Sequence, residues 1–377
     1  MRELFERLED GGISEPGVSD LQLETESVQL AYQDVVLRID GAGGVLTRIG
    51  RALSFFASHF DIGPGATLSP DVLMILRHFD EYSVDSSIVK PENRITIRTG
   101  APRPFNLWGY AQRRPDRLET VYSPETRTAI VMDRHRKRID LYVTESSSIQ
   151  LIELVRDLVI KILESRRRLM VHAAACSREG SATLLIGAKG AGKTTLLLDL
   201  VYRRGLRLVS GDKVVLSAGD GTSVAHGWPD MPHLGLGTIR QYPSLLDAID
   251  ELGLVPPSSH ARDKFLIPQE TFDEELRIEY ARLPLPVGAI LMPHITEVAT
   301  PRIQRARFRA DDAIRPHLEL AWNDPFRQWH HFLQISSPDE MQPWIDQVSE
   351  SLRDVPVFEC FGPEPLDDDD FLRIFAE

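Results

Sequence analysis

Apolar residues alternate in some stretches of this chain and recur at helical spacing in others, and that pattern predicts most of its elements. Residues 28–39 (VQLAYQDVVLRI) are rich in β-branched and aromatic side chains and predict a strand. Leu46, Ile49, Leu53, Phe56 and Phe60 fit one stripe of a helix over 46–60. Shorter strand signals follow at 94–98, 120–122, 128–132 and 139–143, the last two joined by a basic turn at 133–138. Residues 147–168 predict a long helix with Ile149, Ile152, Val155, Leu158, Val159 and Ile162 on one side. Three arginines close it, where cations complement the helix dipole.

Past that helix the pattern changes. Residues 169–176, 182–186 and 206–209 are short apolar runs separated by turn signals, with a strong helix pattern at 193–204. Such alternation predicts an α/β layer around a buried sheet. Residues 227–257 are rich in Pro and Gly and read as loop with short helix. A strand is expected at 287–292, helices at 310–322 and 341–352, and a closing strand at 355–360. The domain boundary is placed within or just before the long helix. Residues 1–147 then form a smaller α+β domain for substrate or partner recognition, and 148–377 form an α/β domain. The first twenty residues, with Gly11, Gly12, Pro16 and Gly17, read as a loose leader, and the Asp367 to Asp370 run as a solvated helix start.

Composition narrows the setting. A length of 377 residues fits about two domains. The 43 basic against 56 acidic residues give a net charge of -13, which argues against general affinity for nucleic acid or anionic membranes. No apolar run approaches the roughly 20 residues of a membrane span, and the start, MRELFERLEDGG, has no apolar signal core. Cys176 and Cys360 are too few for a disulfide framework or a zinc site. The expectation is a cytoplasmic protein.

The strongest chemical signal is Gly187-Ala188-Lys189-Gly190-Ala191-Gly192-Lys193-Thr194, which fits G-x-x-x-x-G-K-[ST] at every fixed position. An apolar strand leads in and an apolar helix leads out, which disfavours a plain glycine-rich turn. The glycines let the backbone N–H groups converge on phosphate oxygens, and the helix N-terminus adds positive potential. In that role residues 187–195, through Thr195, contact ATP; Lys193 neutralises the β- and γ-phosphates, and the Thr194 hydroxyl holds Mg²⁺. Asp212, just past the next strand and one helix away in sequence, is the expected second magnesium ligand. No Asn-Lys-x-Asp element of a small GTPase and no Leu-Ser-Gly-Gly signature of a transporter ATPase is present.

Met170-Val-His172-Ala-Ala-Ala-Cys-Ser-Arg-Glu-Gly180, the glycine-rich motif, and Arg204-Gly-Leu-Arg-Leu-Val-Ser-Gly-Asp212-Lys-Val-Val together resemble the catalytic core of the HPr serine kinase/phosphorylase family. The resemblance covers 169–216 well and extends weakly to the end of the chain; residues 1–147 have no part in it. It implies an α/β P-loop kinase domain, HPr kinase/phosphoenolpyruvate carboxykinase-like, that uses ATP and Mg²⁺. It also implies transfer of the γ-phosphoryl group to a hydroxyl, foremost a serine of a protein or peptide. Lys193, Asp212 and His172 then carry the catalysis, with Asp212 as base and His172 tuning it. The departure is Gly211, which stands where the family has the first of two aspartates. Two other readings stay open: a nucleotide-binding regulatory or scaffold module without transfer, and a small-molecule kinase. The oligomeric state is open too, a homo-oligomer included.

Weaker features take plainer readings. Arg262 and Lys264 are read as solvated loop charges, the 134–138 cluster as a solvated hairpin tip, Gly41 to Gly44 as a turn, Trp329-His330-His331 as packing or surface, and Cys176 as a small buried hydrophobe.

Overall fold

The computed structural model describes residues 27–41, 44–64, 68–98, 106–114, 118–219, 221–252, 264–282, 284–295, 302–324 and 327–362, with 369, 371 and 374. The first twenty residues, Arg262, most of the terminal acidic run and the middle of the 41–44 turn lie outside them. The protein is mixed α/β, with two large mixed sheets. Its contacts divide it into one compact unit of 1–165 with 321–336 and another of 166–320 with 337–377. The long helix therefore groups with the first unit, whereas the expected boundary lay at its start, at 147/148.

The first unit holds β1 (Ser27–Tyr32), β2 (Val35–Gly41), β3 (Asp61–Pro64), β4 (Val72–His78), β5 (Arg94–Arg98), β6 (Leu107–Arg113), β7 (Leu118–Ser123), β8 (Thr128–Asp133) and β9 (Arg138–Val143). They form one sheet in the order β3-β1-β2-β4-β9-β8-β7-β6-β5, parallel only at β2–β4 and β4–β9. The single strand expected over 28–39 is a hairpin, broken where Gln33 adopts φ 55°. The helix expected over 46–60 is a short 3₁₀ turn, Val45–Ile49, and a helix of one turn, Gly50–Ser54. Gly50 at the junction is a poor helix former, yet all five stripe residues are buried. The basic tip joining β8 and β9 is exposed at its centre, with Asp133 accepting from the His135 and Arg136 N–H groups.

Helix α1 (Ser148–Ser165) ends before the three arginines, because Arg167 takes φ 68°. Residues Gln150 to Glu164 are buried on every face, beyond the single apolar stripe. Its charges are answered inside the unit: Asp157 lies 2.7 Å from Lys161 and 2.5 Å from His330, all three almost wholly buried. His330 is thus packing, as expected of it.

In the second unit β10 (Leu169–Val171), β11 (Ala173–Arg178), β12 (Ser181–Ile186), β13 (Arg207–Ser210), β14 (Val214–Ala218), β15 (Ser223–Gly227) and the later strand β18 (Leu285–His294) form the main sheet. The order is β10-β14-β15-β18-β12-β11-β13. Next to β18 runs β20 (Val357–Phe361), flanked by β19 (Arg302–Arg305); β16 (His233–Gly235) and β17 (Lys264–Leu266) form a separate ribbon. β12 pairs parallel with β18 and β18 parallel with β20.

Strict alternation along β11 and β12 splits the core in two. Ala174, Cys176 and Leu185 pack on one face under α2 (Lys193–Leu198), α3 (Pro243–Glu251) and α4 (Gln269–Leu276). Ala173, Ala175, Leu184 and Ile186 face the other way, toward α5 (Pro338–Ser351). With both faces covered, the end of β12 is a fixed platform for whatever follows it.

Candidate functional site

β12 delivers the chain into the glycine-rich turn, and α2 takes it out. Gly190 and Gly192 have φ of 86° and 103°, a left-handed conformation that side chains resist. At Gly192 the packing adds a second reason: a Cβ there would lie 2.4 Å from Ile295 Cγ1. The Ile295 N–H in turn donates to the Ala191 carbonyl at 2.9 Å, so the turn is pinned to the chain leaving β18. Lys193 opens α2, which continues as π-helix through Arg203. Its side chain is buried and its ammonium donates to the Gly187 carbonyl at 2.7 Å. Burial pulls the Lys193 ammonium below its ordinary value while the Asp212 charge acts to raise it. Lys189 is exposed, the Thr195 hydroxyl meets that of Thr238 at 3.1 Å, and the Thr194 hydroxyl has no partner among the described residues.

Asp212 follows β13 in a short turn held by Ser210, whose hydroxyl donates to the Lys213 carbonyl and accepts from the Trp228 N–H at 3.3 Å. His172 occupies the break between β10 and β11. Its Nε2 is 3.7 Å from Asp212 Oδ1, and its Nδ1 is 3.0 Å from Glu319 Oε1. The other Glu319 oxygen pairs with the Lys213 ammonium. Burial alone would raise the Glu319 carboxyl; the hydrogen bond from His172 and the Lys213 charge outweigh it and hold the group well below the ordinary carboxylate range. An ionised Glu319 only accepts, so Nδ1 of His172 is the protonated nitrogen. His317 is also present, lowered foremost by burial and further by the Lys193 charge.

Lys193, Asp212 and His172, expected to act together, therefore share one neighbourhood. Glu319, Lys213 and His317 are the members the sequence reading missed. The helix expected over 310–322 stops at Ile314, with a 3₁₀ turn at Arg315–His317. Pro316 explains this: it has no N–H for a helical bond and its ring crowds the preceding turn. The chain then runs extended beside β10, the His172 N–H donating to the His317 carbonyl (2.8 Å) and the Glu319 N–H to the Met170 carbonyl (2.9 Å). A proline inside a helical pattern was the available signal.

The residues present suit a nucleotide and a hard cation. The turn carries the buried Lys193 ammonium, resting on a carbonyl it can exchange, the unpartnered Thr194 hydroxyl and the exposed Lys189. No cluster of three or more His, Cys, Asp or Glu residues placed to hold a metal occurs among the described residues. A magnesium ion here would therefore rest on Thr194, Asp212 and substrate phosphates, a set of oxygens it accepts. Lys264, on β17, is close enough for its charge to lower Lys193 further. The Cys176 thiol is fully buried and pushed up to about 12 by that burial, as a core hydrophobe.

No protein-family model matches the chain. The chain is similar to the structure of the Hpr(Ser) kinase/phosphatase from Coxiella burnetii at 10% identity and a TM-score of 0.22, over 54% of this chain and 90% of that one. At that score the likeness carries no argument. The ABC multidrug transporter atrI of Aspergillus fumigatus matches at 34% identity over 91 residues. That is 24% of this chain, and the chain spans only 6% of the transporter.

Proposed function

We propose that the second unit is an ATP-dependent phosphotransferase that moves the γ-phosphoryl group to a hydroxyl, foremost a serine of a protein or peptide. The observation that carries this reading is the placing of Lys193, on a glycine-pinned turn at a helix start, within the field of Asp212. Phosphoryl transfer asks mainly for positioning and charge stabilisation, which such a turn provides.

Lys193 would leave the Gly187 carbonyl for the phosphate oxygens, and the free N–H groups of the turn would hold the rest of the triphosphate. Mg²⁺ held by Thr194 and Asp212 would supply charge neutralisation on the phosphates. The acceptor oxygen attacks the γ-phosphorus, its proton passes to Asp212, and the bond to the bridging oxygen breaks so that ADP leaves with the electron pair. His172 stands beside Asp212 to steer that carboxylate. Residues 1–147 are assigned to acceptor or partner recognition on the same reading. No helix among the described residues is long and apolar enough to cross a membrane, and we place the reaction in the cytoplasm, with neither nucleic acid nor membrane as partner.

The test is incubation with γ-labelled ATP and Mg²⁺, offering cell extract, serine-containing peptides and free serine in parallel. Label on a protein or peptide that disappears with Lys193→Ala supports the reading. Label on free serine alone makes it a small-molecule kinase. ATP binding without transfer to anything offered favours a regulatory module, the outcome toward which Gly211 points.

A further inference from the structure

We infer that Glu319 is the positioning carboxylate of this centre: it holds His172 with Nδ1–H turned toward itself and Nε2 turned toward Asp212. The inference deepens the phosphotransfer reading and rests on it.

Three features carry it. First, Glu319 reaches the site by β-type pairing rather than by a loose loop. Leu318 forms an antiparallel bridge with Val171, flanked by the His172-to-His317 and Met170-to-Glu319 backbone bonds. Pairing of this kind fixes both the height and the facing of the side chains on either strand. Second, the two oxygens of Glu319 have different partners, His172 Nδ1 at 3.0 Å and the Lys213 ammonium. Lys213 is the neighbour of Asp212, so the carboxylate ties the strand break that carries His172 to the turn that carries the base. Third, the His172 ring stands between the two carboxylates: Asp212 faces one ring nitrogen and Glu319 the other. A carboxylate that fixes one nitrogen of an imidazole selects the tautomer and ring orientation presented by the other.

A salt bridge serving only to hold 317–319 against β10 would have a different signature, and the test separates the two. In the nucleotide-free protein, long-range proton–nitrogen NMR of the His172 ring, assigned by its loss in His172→Ala, reads the tautomer directly. The wild type should show protonated Nδ1, and Glu319→Ala should shift the ring toward protonated Nε2. In turnover, Glu319→Gln should lower kcat at saturating ATP by about 10–100-fold, as loss of a histidine-orienting carboxylate does elsewhere. The double variant with His172→Ala should be no slower than His172→Ala alone, since Glu319 acts through His172. Glu319→Asp, which keeps the charge, should recover part of kcat.

An unchanged His172 spectrum in Glu319→Ala, with folding confirmed by circular dichroism, would overturn the inference. So would additive losses in the double variant. Absence of transfer in the wild type would instead sink the phosphotransfer reading, while the nucleotide-free spectrum would still report whether Glu319 sets the His172 ring.

Discussion

Gly192 has no room for a side chain, and Gly211 has ample room. At Gly192 the φ of 103° and the 2.4 Å approach to Ile295 Cγ1 act together. Gly192→Ala should strain the turn by about 1–3 kcal/mol and weaken ATP binding at least tenfold, seen as a lost ATP-dependent rise in melting temperature. At Gly211 an added Cβ meets nothing within 4 Å and φ is not left-handed. Gly211→Asp should therefore fold with stability within about 0.5 kcal/mol of wild type, and should tighten the Mg²⁺ dependence of ATP binding by adding a second carboxylate. An unchanged Mg²⁺ titration would mean that this turn does not face the metal. Asp212→Asn should retain ATP binding and lose transfer by about 10²–10⁴-fold; full activity would remove Asp212 as the base. At this scale the shape of the turn was legible, because left-handed backbone at fixed positions calls for glycine there. Glu319 was not legible, because its role depends on a strand pairing between residues almost 150 positions apart, which no local pattern encodes.

Elements differ in how far their own residues decide them. β11 and β12 are near-continuous apolar runs, as strands buried on both faces require, and their successive residues fall by turns into the two cores. Helix α1 also follows its periodicity, but its burial on every face brings in charges that the apolar stripe did not foretell. Glu164, near its C-terminal end, accepts from the Ala321 N–H at 2.7 Å. Burial pushes its carboxyl up from 4.5 to about 7 against the Ala321 hydrogen bond and the Arg327 charge, which act to lower it, while Asp157 acts to raise it. The folded state thus binds more protons than the unfolded state between those values. The contribution of Glu164 is complete below pH 4.5 and is lost as pH rises through about 7. A tenfold change in proton affinity is worth about 1.4 kcal/mol, so the loss is on the order of 3 kcal/mol. Glu164→Gln, which still accepts from Ala321, should flatten the decline in urea stability between pH 5 and 7.5. An identical decline in the variant would assign it to other groups.

For the whole molecule, chain order and compact units do not coincide. The first unit takes α1 and then 321–336 from far along the sequence, so the boundary read at 147/148 leaves two of its parts behind. Local composition changes at the end of α1, but a return of the chain for sixteen residues has no compositional mark. A fragment ending at residue 147 should accordingly lack cooperative unfolding and bind hydrophobic dyes; one that extends to 165 and carries 321–336 on a linker should unfold cooperatively. The proposed function rests on the other unit, where a pinned turn, a buried lysine and a carboxylate meet. The measurement that tests it most directly is calorimetric titration of the full chain with ATP in the presence and absence of Mg²⁺, alongside Lys193→Ala. The expected result is Mg²⁺-dependent binding at one site per chain that is lost in Lys193→Ala. Binding that persists unchanged without the Lys193 ammonium, or no binding in the wild type, would contradict it.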